Sequence, residues 1–147
     1  MTTRVLFLCT GNSARSILAE ALLREIGGTD FEVHSAGTDP KGLNPYTVRV
    51  LEQEHMDPAT FHSKNMNEFL GQAFDYVITV CDQAAERCPV FPGDPERIHW
   101  SFPDPAAVEG DEAVKMAAFL ETLRGLRRRI DPFVIVARDA ARAASRN

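Results

Sequence analysis

The segment Arg4–Ser16, with the sequence RVLFLCTGNSARS, decides the fold. It begins with the apolar run Arg4–Leu8, which is typical of a strand buried inside a parallel sheet. Cys9 and a short loop of small polar residues follow, and a helix is predicted to begin at Ser16. Because parallel sheets bind ligands at the carboxyl ends of their strands, this order of elements predicts a ligand site at Cys9.

The loop after Cys9 has the groups that bind a tetrahedral oxyanion. Backbone N–H groups at the start of a helix lack partners within the helix and attract anions, and Arg15 adds a two-pronged donor. Gly11 is expected to adopt a positive φ that turns the loop inward. The positive field is expected to lower the pKa of Cys9, so that its thiolate is the nucleophile and accepts a hydrogen bond from Ser16. The predicted oxyanion-binding residues are Thr10, Gly11, Asn12, Ser13, Ala14, Arg15 and Ser16. A packing cysteine beside an ordinary turn is the alternative.

Periodicity in the rest of the chain predicts alternating strands and helices. The further strands are expected over Phe31–Ser35, Asp75–Cys81 and Arg97–Trp100. Helices are expected over Ser16–Ile26, from Asn44 to about His55, over Met66–Leu70 and over about Gly110–Ile130. This pattern indicates an α/β protein with one domain, a four-stranded, mostly parallel sheet and helices on both faces. We expect residues 1–131 to form the domain and residues 132–147 to form a helical tail packed on it.

Composition narrows the class of protein. The 147 residues are 44% hydrophobic and have a net charge of −5, which is typical of a globular protein and argues against a nucleic-acid partner. No apolar stretch is long enough to span a membrane, and the N-terminus lacks the features of a secretory signal. We therefore predict a cytoplasmic protein with no membrane partner. The His and Cys residues show no zinc-type spacing, so neither a metal nor a cofactor is predicted.

Three cysteines, Cys9, Cys81 and Cys88, are each either packing residues or reactive thiols, because a reducing compartment has no standing disulfide framework. If Asp82–Arg87 is helical, Cys81 and Cys88 stand about 10 Å apart along the axis. A disulfide needs Cα atoms within roughly 7 Å. A Cys81–Cys88 disulfide therefore requires this segment to unwind, and we predict a mobile segment with different reduced and oxidised shapes.

Several motifs, in order along the chain, resemble one protein family. They are LCTGNSARS at Leu8–Ser16, HSAG at His34–Gly37, YVITVC at Tyr76–Cys81, the pair Cys88–Pro89 and HWSFPDPA at His99–Ala106. The Cys-x5-Arg-Ser loop after the first strand resembles that of the low-molecular-weight protein tyrosine phosphatases. The remaining motifs resemble their relatives, the thioredoxin-coupled arsenate reductases, over nearly the whole chain to about residue 130.

The resemblance implies a phosphatase-like fold and the reduction of arsenate to arsenite. Cys9 is expected to attack arsenate and form a covalent adduct. Cys81 then attacks Cys9, which releases arsenite and leaves a Cys9–Cys81 disulfide. Cys88 next attacks Cys81, and thioredoxin reduces the resulting Cys81–Cys88 disulfide. Phosphate and sulfate are expected to compete with arsenate, and glutaredoxin or a low-molecular-weight thiol stays open as the reductant.

The resemblance also suggests a general acid. Asp104, which precedes Pro105 in a proline-rich loop, matches the aspartate that protonates the leaving oxygen in the family. Many of the phosphatases have paired tyrosines after this position, whereas Ala106 and Ala107 follow here. The absence of an aromatic wall favours a small inorganic substrate.

A structural potassium ion is bound by some relatives where Asn12, Glu20 and Ser35 stand in this chain. Lys64 replaces an acidic ligand of those relatives, so its ammonium group is expected to occupy the place of the cation. Glu20 as a surface charge and Lys64 as a solvated lysine are the alternatives. We expect no dependence on potassium.

Two other functions stay open. A phosphatase acting through a phosphocysteine at Cys9 would need neither Cys81 nor Cys88, and weak phosphatase activity is compatible with arsenate reduction because the two anions share shape and charge. A non-catalytic anion-binding or redox-sensing module would use the loop without turnover.

Overall fold

The computed structural model describes residues 2–146 and contains one four-stranded sheet. The strands are β1 (Thr3–Cys9), β2 (Phe31–Gly37), β3 (Tyr76–Thr79) and β4 (Glu96–His99). They lie in the order β2-β1-β3-β4, and each neighbouring pair is parallel. The predicted α/β fold is therefore confirmed, with a sheet that is parallel throughout rather than mostly parallel.

Four α-helices lie within the described residues. They are α1 (Arg15–Gly27), α2 (Pro45–Gln53), α3 (Asp82–Glu86) and α4 (Glu112–Ser145), with single 3-10 turns at Gly28–Asp30, Pro58–Thr60, Met66–Phe69 and Pro105–Ala107. The short helix expected at Met66 is one of these 3-10 turns. Helix α2 begins as predicted, because Asn44 accepts the backbone N–H of Tyr46 at 2.9 Å and Pro45 occupies the first helical position. No helix between residues 2 and 146 is long and apolar enough to cross a membrane.

Helix α4 continues well beyond the position where the sequence predicts its end. It was expected to stop at Ile130, but it runs without a break to Ser145 and contains Pro132. Proline removes one N–H group from the helical ladder, so tertiary packing has to hold the helix together here. Phe133 supplies that packing, with its ring centroid 5.0 Å from that of Tyr76 and 5.9 Å from that of Trp100. Residues 132–145 are thus the last part of α4 rather than a separate tail.

Strand β1 is the centre of the fold. It lies between β2 and β3, and Val5–Leu8 is completely buried. Its register pairs Cys9 with Gly37 at the end of β2 and Leu8 with Thr79 at the end of β3. Three strands therefore end at the same edge of the sheet, and the loop into α1 begins there.

Candidate active site

The loop Thr10–Ala14 lies between the last residue of β1 and the first residue of α1, as the sequence predicts. Gly37 of β2 lets it approach, because a Cβ atom at that position would lie 2.4 Å from the carbonyl oxygen of Thr10 and 2.9 Å from the backbone nitrogen of Asn12. The loop is also tied down by backbone bonds, since Asp39 and Lys41 donate to the carbonyls of Thr10 and Gly11 at 2.9 Å each.

Asn12, rather than Gly11, turns the loop inward. Asn12 has a φ of 45°, whereas Gly11 is not among the residues with positive φ, so the prediction for Gly11 is wrong. Asparagine tolerates this left-handed conformation better than most residues because its short side chain can form local hydrogen bonds. Here the amide of Asn12 donates to Ser16 Oγ at 2.7 Å and to Ser35 Oγ at 3.0 Å, and its oxygen accepts the backbone N–H of Lys64 at 2.8 Å. The side chain of Asn12 is fully buried, so these bonds fix the conformation.

The thiol of Cys9 is buried at the centre of this loop. Its sulfur lies 2.8 Å from Ser16 Oγ and accepts the backbone N–H of Asn12 at 3.2 Å. Because the amide of Asn12 donates to Ser16 Oγ, the hydroxyl proton of Ser16 is free to point at the sulfur. The hydrogen bond predicted from Ser16 to Cys9 therefore has a donor oriented by Asn12.

Burial changes the expected acidity of Cys9. Loss of solvation is the largest effect and raises the pKa of Cys9 above its ordinary value, and the neighbouring Cys81 raises it further. The hydrogen bonds from Ser16 and from the backbone of Asn12 lower the pKa and offset part of this rise. The prediction of a lowered pKa is therefore wrong, because the thiol that the loop surrounds is also removed from water.

A cleft of about 440 Å³ opens above the loop. Its lining residues are Cys9, Thr10, Gly11, Ser13, Ala14, Arg15, Lys41, Gly42, Leu43, Asn44, Pro45, Gln83, Asp104 and Ala106. Asn12 and Ser16 were also predicted to bind the oxyanion, but their side chains have no exposed surface. They are placed to support Cys9 rather than to face a ligand in the cleft.

Three charged side chains line this cleft, namely Arg15, Lys41 and Asp104, and two of them belong to the predicted site. The guanidinium of Arg15 donates to the carbonyl of Phe102 at 2.9 Å, which links α1 to the proline-rich loop. Asp104 of that loop is exposed, and its carboxylate accepts the backbone N–H of Ala106 at 2.9 Å. A candidate anion-binding cation, Arg15, and a candidate proton donor, Asp104, thus line the same cavity as the thiol of Cys9.

The other two cysteines have different positions. Cys81 caps the N-terminus of α3 and its sulfur lies 3.3 Å from Thr10 Oγ1, which also donates to Gln83 at 3.1 Å. Cys88 follows α3 and is half-buried, and burial raises its pKa despite the opposite effect of Arg97. All three cysteines are free thiols.

A buried polar cluster lies beneath the loop, where relatives were expected to bind potassium. Glu20 is 2% exposed, so it is not a surface charge, and it accepts from Ser35 and pairs with Arg24. The ammonium of Lys64 lies 4.0 Å from the carboxylate of Glu20 and donates to the carbonyl of His62 at 2.6 Å. Lys64 is itself buried, which lowers its pKa, so a solvated lysine is ruled out. Among residues 2–146 there is no group of three His, Cys, Asp or Glu side chains that could hold a metal ion.

Sequence reasoning missed several residues at this edge of the sheet. Gln83 and Lys41 line the cleft, but neither belongs to a motif that would have identified it. Asp82 and His99 form a hydrogen-bonded pair beside Cys81. The sequence gives two weak signals for that pair: Asp82 directly follows Cys81, and His99 begins the last motif. These signals do not predict a contact between two residues that are distant in sequence.

Comparison with known proteins gives consistent matches. The family model of the low molecular weight phosphotyrosine protein phosphatases matches residues 4–134. An arsenate reductase of Halalkalibacterium halodurans is 38% identical over 129 residues, which is 88% of this chain and 93% of the relative. An arsenate reductase of Bacillus subtilis is 38% identical over 115 residues, which is 78% of this chain and 83% of the relative.

Solved structures agree on the fold. The thioredoxin-dependent arsenate reductase Cg_ArsC1' of Corynebacterium glutamicum superposes with a TM-score of 0.68 at 27% identity, covering 92% of this chain and 63% of that protein. A low molecular weight protein tyrosine phosphatase of Streptococcus pyogenes superposes with a TM-score of 0.70 at 21% identity, covering 90% of this chain and 91% of that one. Both enzyme classes therefore share this architecture.

Proposed function

Because the chain belongs to the low molecular weight phosphotyrosine protein phosphatase family, we propose that it is an enzyme of that family which reduces arsenate to arsenite. Its similarity to arsenate reductases over most of its length supports this reaction. One observation carries the proposal: a second thiol adjoins the oxyanion loop, since Cys81 Sγ lies 3.3 Å from Thr10 Oγ1. Ester hydrolysis has no use for a thiol at that position.

The first step is attack by Cys9. Arsenate is held in the cleft by the backbone N–H groups of the loop and by Arg15, which exchanges its bond to Phe102 for the anion. The sulfur of Cys9 forms a bond to arsenic, and one oxygen leaves as water after protonation by Asp104. A thiol with a raised pKa has to lose its proton as the substrate binds. The arsenate dianion is itself a base and accepts that proton, which keeps the site near charge balance.

The second step carries the two electrons. The thiolate of Cys81 attacks the sulfur of Cys9 and forms a Cys9–Cys81 disulfide. The electron pair of the broken S–As bond passes to arsenic, which is reduced from the +5 to the +3 state and leaves as arsenite. The two sulfur atoms together lose the two electrons that arsenic gains, so no outside reductant is needed up to this point.

The third step clears Cys9 for the next substrate. The thiolate of Cys88 attacks Cys81, a Cys81–Cys88 disulfide forms and Cys9 leaves as a thiolate. Thioredoxin then reduces this disulfide by a further exchange. The C. glutamicum relative named above is thioredoxin-dependent, which supports thioredoxin over glutaredoxin or a low-molecular-weight thiol as the partner.

Phosphate ester hydrolysis is the second candidate function. The same Cys9 and Asp104 could form and hydrolyse a phosphocysteine, and a phosphatase of this architecture exists in S. pyogenes. Ala106 lines the cleft where an aromatic wall would be needed to hold a phosphotyrosine ring. We therefore propose at most a weak side activity on phosphate esters.

A coupled assay tests the proposal directly. NADPH consumption is followed with thioredoxin, thioredoxin reductase and this protein, and we expect it to depend on added arsenate. Cys88→Ser should release one arsenite per protein molecule and then stop, whereas Cys81→Ser should release none. Hydrolysis of a small phosphate ester by Cys88→Ser should stay at the wild-type rate. Sustained arsenate reduction by Cys88→Ser would refute the three-thiol relay.

A further inference from the structure

Helix α3, between Cys81 and Cys88, has few ties to the rest of the fold. It has five residues, Asp82–Glu86, of which only Ala84 is buried. A cavity of about 160 Å³ lies between Ala85, Cys88 and the end of β4. Little apolar packing therefore opposes a movement of α3, and polar contacts carry a large share of its attachment.

One cluster of polar side chains fastens the first turn of α3 to β4 and the residues after it. The carboxylate of Asp82 accepts from His99 Nε2 at 2.9 Å and from Ser101 Oγ at 3.1 Å. The other ring nitrogen of His99 lies 2.7 Å from Thr79 Oγ1 at the end of β3, which orients the ring. We name Asp82, His99 and Ser101 the Asp82 clasp.

The clasp holds the charged form of Asp82. The hydrogen bonds from His99 and Ser101 keep the pKa of this carboxyl below its usual range, and the charges of His99 and Arg15 act in the same direction. A carboxylate in the first turn also favours the helix, because it faces the positive end of the helix dipole. Asp82 therefore stabilises α3 in two ways, through the clasp and through its position.

The last step of the proposed relay conflicts with this arrangement. With α3 formed, its five residues span about 7.5 Å by helix rise. Cys81 lies before the first of them and Cys88 lies two residues after the last, whereas a disulfide needs Cα atoms within roughly 7 Å. The bond from the N–H of Ala85 to the carbonyl of Cys81 closes the first turn of α3. This turn has to open before the two sulfurs meet, and Asp82 lies in it.

We propose that the Asp82 clasp is a positioning device that presents Cys81 to Cys9 and opposes the Cys81–Cys88 disulfide. This inference rests on the proposed function. While α3 is intact, Cys81 stays beside Thr10, a residue that lines the cleft, and Cys88 cannot reach it. When Cys88 attacks the Cys9–Cys81 disulfide, a Cys81–Cys88 bond forms, Cys9 leaves as a thiolate and the clasp is released. The contacts of the clasp exist only while α3 is formed. They therefore favour attack of Cys81 on Cys9 before attack of Cys88 on Cys81.

The test measures the equilibrium of the Cys81–Cys88 pair alone. In the full-length Cys9→Ser background only these two thiols remain, and they are equilibrated with oxidised and reduced dithiothreitol and counted by mass spectrometry after alkylation. Adding Asp82→Ala should shift the equilibrium roughly fivefold toward the disulfide, the size expected for losing exposed charge-assisted hydrogen bonds. For a two-electron couple this is a potential lower by about 20 mV.

Matched variants separate the clasp from the helix itself. Glu86→Ala removes the same charge from the other end of α3. Within the described residues the side chain of Glu86 makes no hydrogen bond, unlike that of Asp82, so this variant should leave the equilibrium unchanged. Ser101→Ala and His99→Gln lie outside α3, so they do not alter its helix propensity. Each should shift the equilibrium in the same direction as Asp82→Ala, and neither should add its full effect in the Asp82→Ala background.

The outcomes distinguish the two levels of the argument. If Cys81 and Cys88 form no disulfide in the Cys9→Ser background, the proposed relay fails and the clasp fails with it. If the disulfide forms but Asp82→Ala leaves its equilibrium unchanged, or shifts it toward the thiols, only the clasp is overturned. An equal shift toward the disulfide from Glu86→Ala would attribute the effect to the loss of a negative charge near the two thiols and would also overturn the clasp.

Discussion

The loop around Cys9 and the segment that carries Cys81 and Cys88 bring thiols to one edge of the sheet in opposite ways. The loop has no fully exposed residue, and it is fixed by the side chain of Asn12, by the close approach of Gly37 and by the N-terminus of α1. The segment Asp82–Arg87 is mostly exposed and is attached by a few polar contacts. The difference follows the chemistry that we propose. Binding a tetrahedral anion needs donors held in place, whereas passing a disulfide from one pair of cysteines to another needs a segment that moves.

The largest effect is expected where the rigid region is crowded. Gly37→Ala would place a Cβ atom against the backbone of Thr10 and Asn12, neither of which can move without opening the loop. We expect a loss of about 3 kcal/mol in the free energy of unfolding, measured by urea denaturation. Arsenite formation should fall more than 100-fold.

Gly71→Ala is the control for this experiment. Gly71, unlike Gly37, has a positive φ, of 87°, and an added Cβ atom there would meet no heavy atom within 4 Å. It should cost about 1 kcal/mol from backbone strain and leave arsenite formation unchanged. Normal activity in Gly37→Ala would contradict a loop that depends on this close approach.

A smaller effect is expected from the hydrogen bond to the nucleophile. Ser16→Ala removes a contact that lowers the pKa of Cys9, so the pKa should rise further above its ordinary value. The thiolate fraction at neutral pH then falls, and the pH profile of Cys9 alkylation by iodoacetamide should move to higher pH. The rate of arsenite formation should fall roughly five- to tenfold. Thr47→Ala, which removes a hydroxyl bond to the carbonyl of Ser13, is a control that should leave the pH profile in place.

Hydrogen exchange sharpens the contrast between the two regions. Amides of residues 82–90 should exchange severalfold faster in the Cys81–Cys88 disulfide form than in the reduced protein, because α3 opens. Amides of residues 10–16 should exchange at similar rates in both forms. Equal protection of residues 82–90 in the two redox states would show that the segment is not the moving part.

The smallest effect is expected from a change of salt. Lys64 places an ammonium group near the carboxylate of Glu20, in the cluster that supports Asn12. We therefore expect the same melting temperature and the same rate of arsenite formation in potassium chloride and in sodium chloride at equal ionic strength. A clear rise in either quantity with potassium would indicate a bound ion and a different position for Lys64.

The extent of helix α4 shows where local sequence signals stop being sufficient. Pro132 and the mixed polarity after it indicate a helix end near Ile130, yet the helix continues to Ser145. Phe133 packs against Tyr76 and Trp100, which lie more than 30 residues away in sequence. The hydrophobic pattern of α4 carries no information about that contact, so the end of the helix could not be predicted from the sequence of the helix alone.

The site shows the same division at the level of single residues. The strand–loop–helix order and the small polar residues were sufficient to locate Cys9, Arg15 and the loop between them at one end of the sheet. They did not indicate that Asn12 would take the positive φ in place of Gly11, because that choice depends on Ser35 and Lys64 from other elements. The Asp82 clasp was missed for the same reason, since it joins Asp82 to residues 17 and 19 positions further along the chain.

The sequence by itself determined the parallel α/β fold, the position of Cys9 at the carboxyl edge of β1 and the kinds of groups around it. These follow from short-range patterns, in which a buried strand, a small polar loop and a helix start are adjacent in the chain. Only the tertiary structure decided the direction in which the pKa of Cys9 moves and which second thiol contacts the loop after β1. Burial of Cys9 and the contact between Thr10 and Cys81 arise when segments 71 residues apart in the chain pack together, and desolvation and distance are properties of that packing.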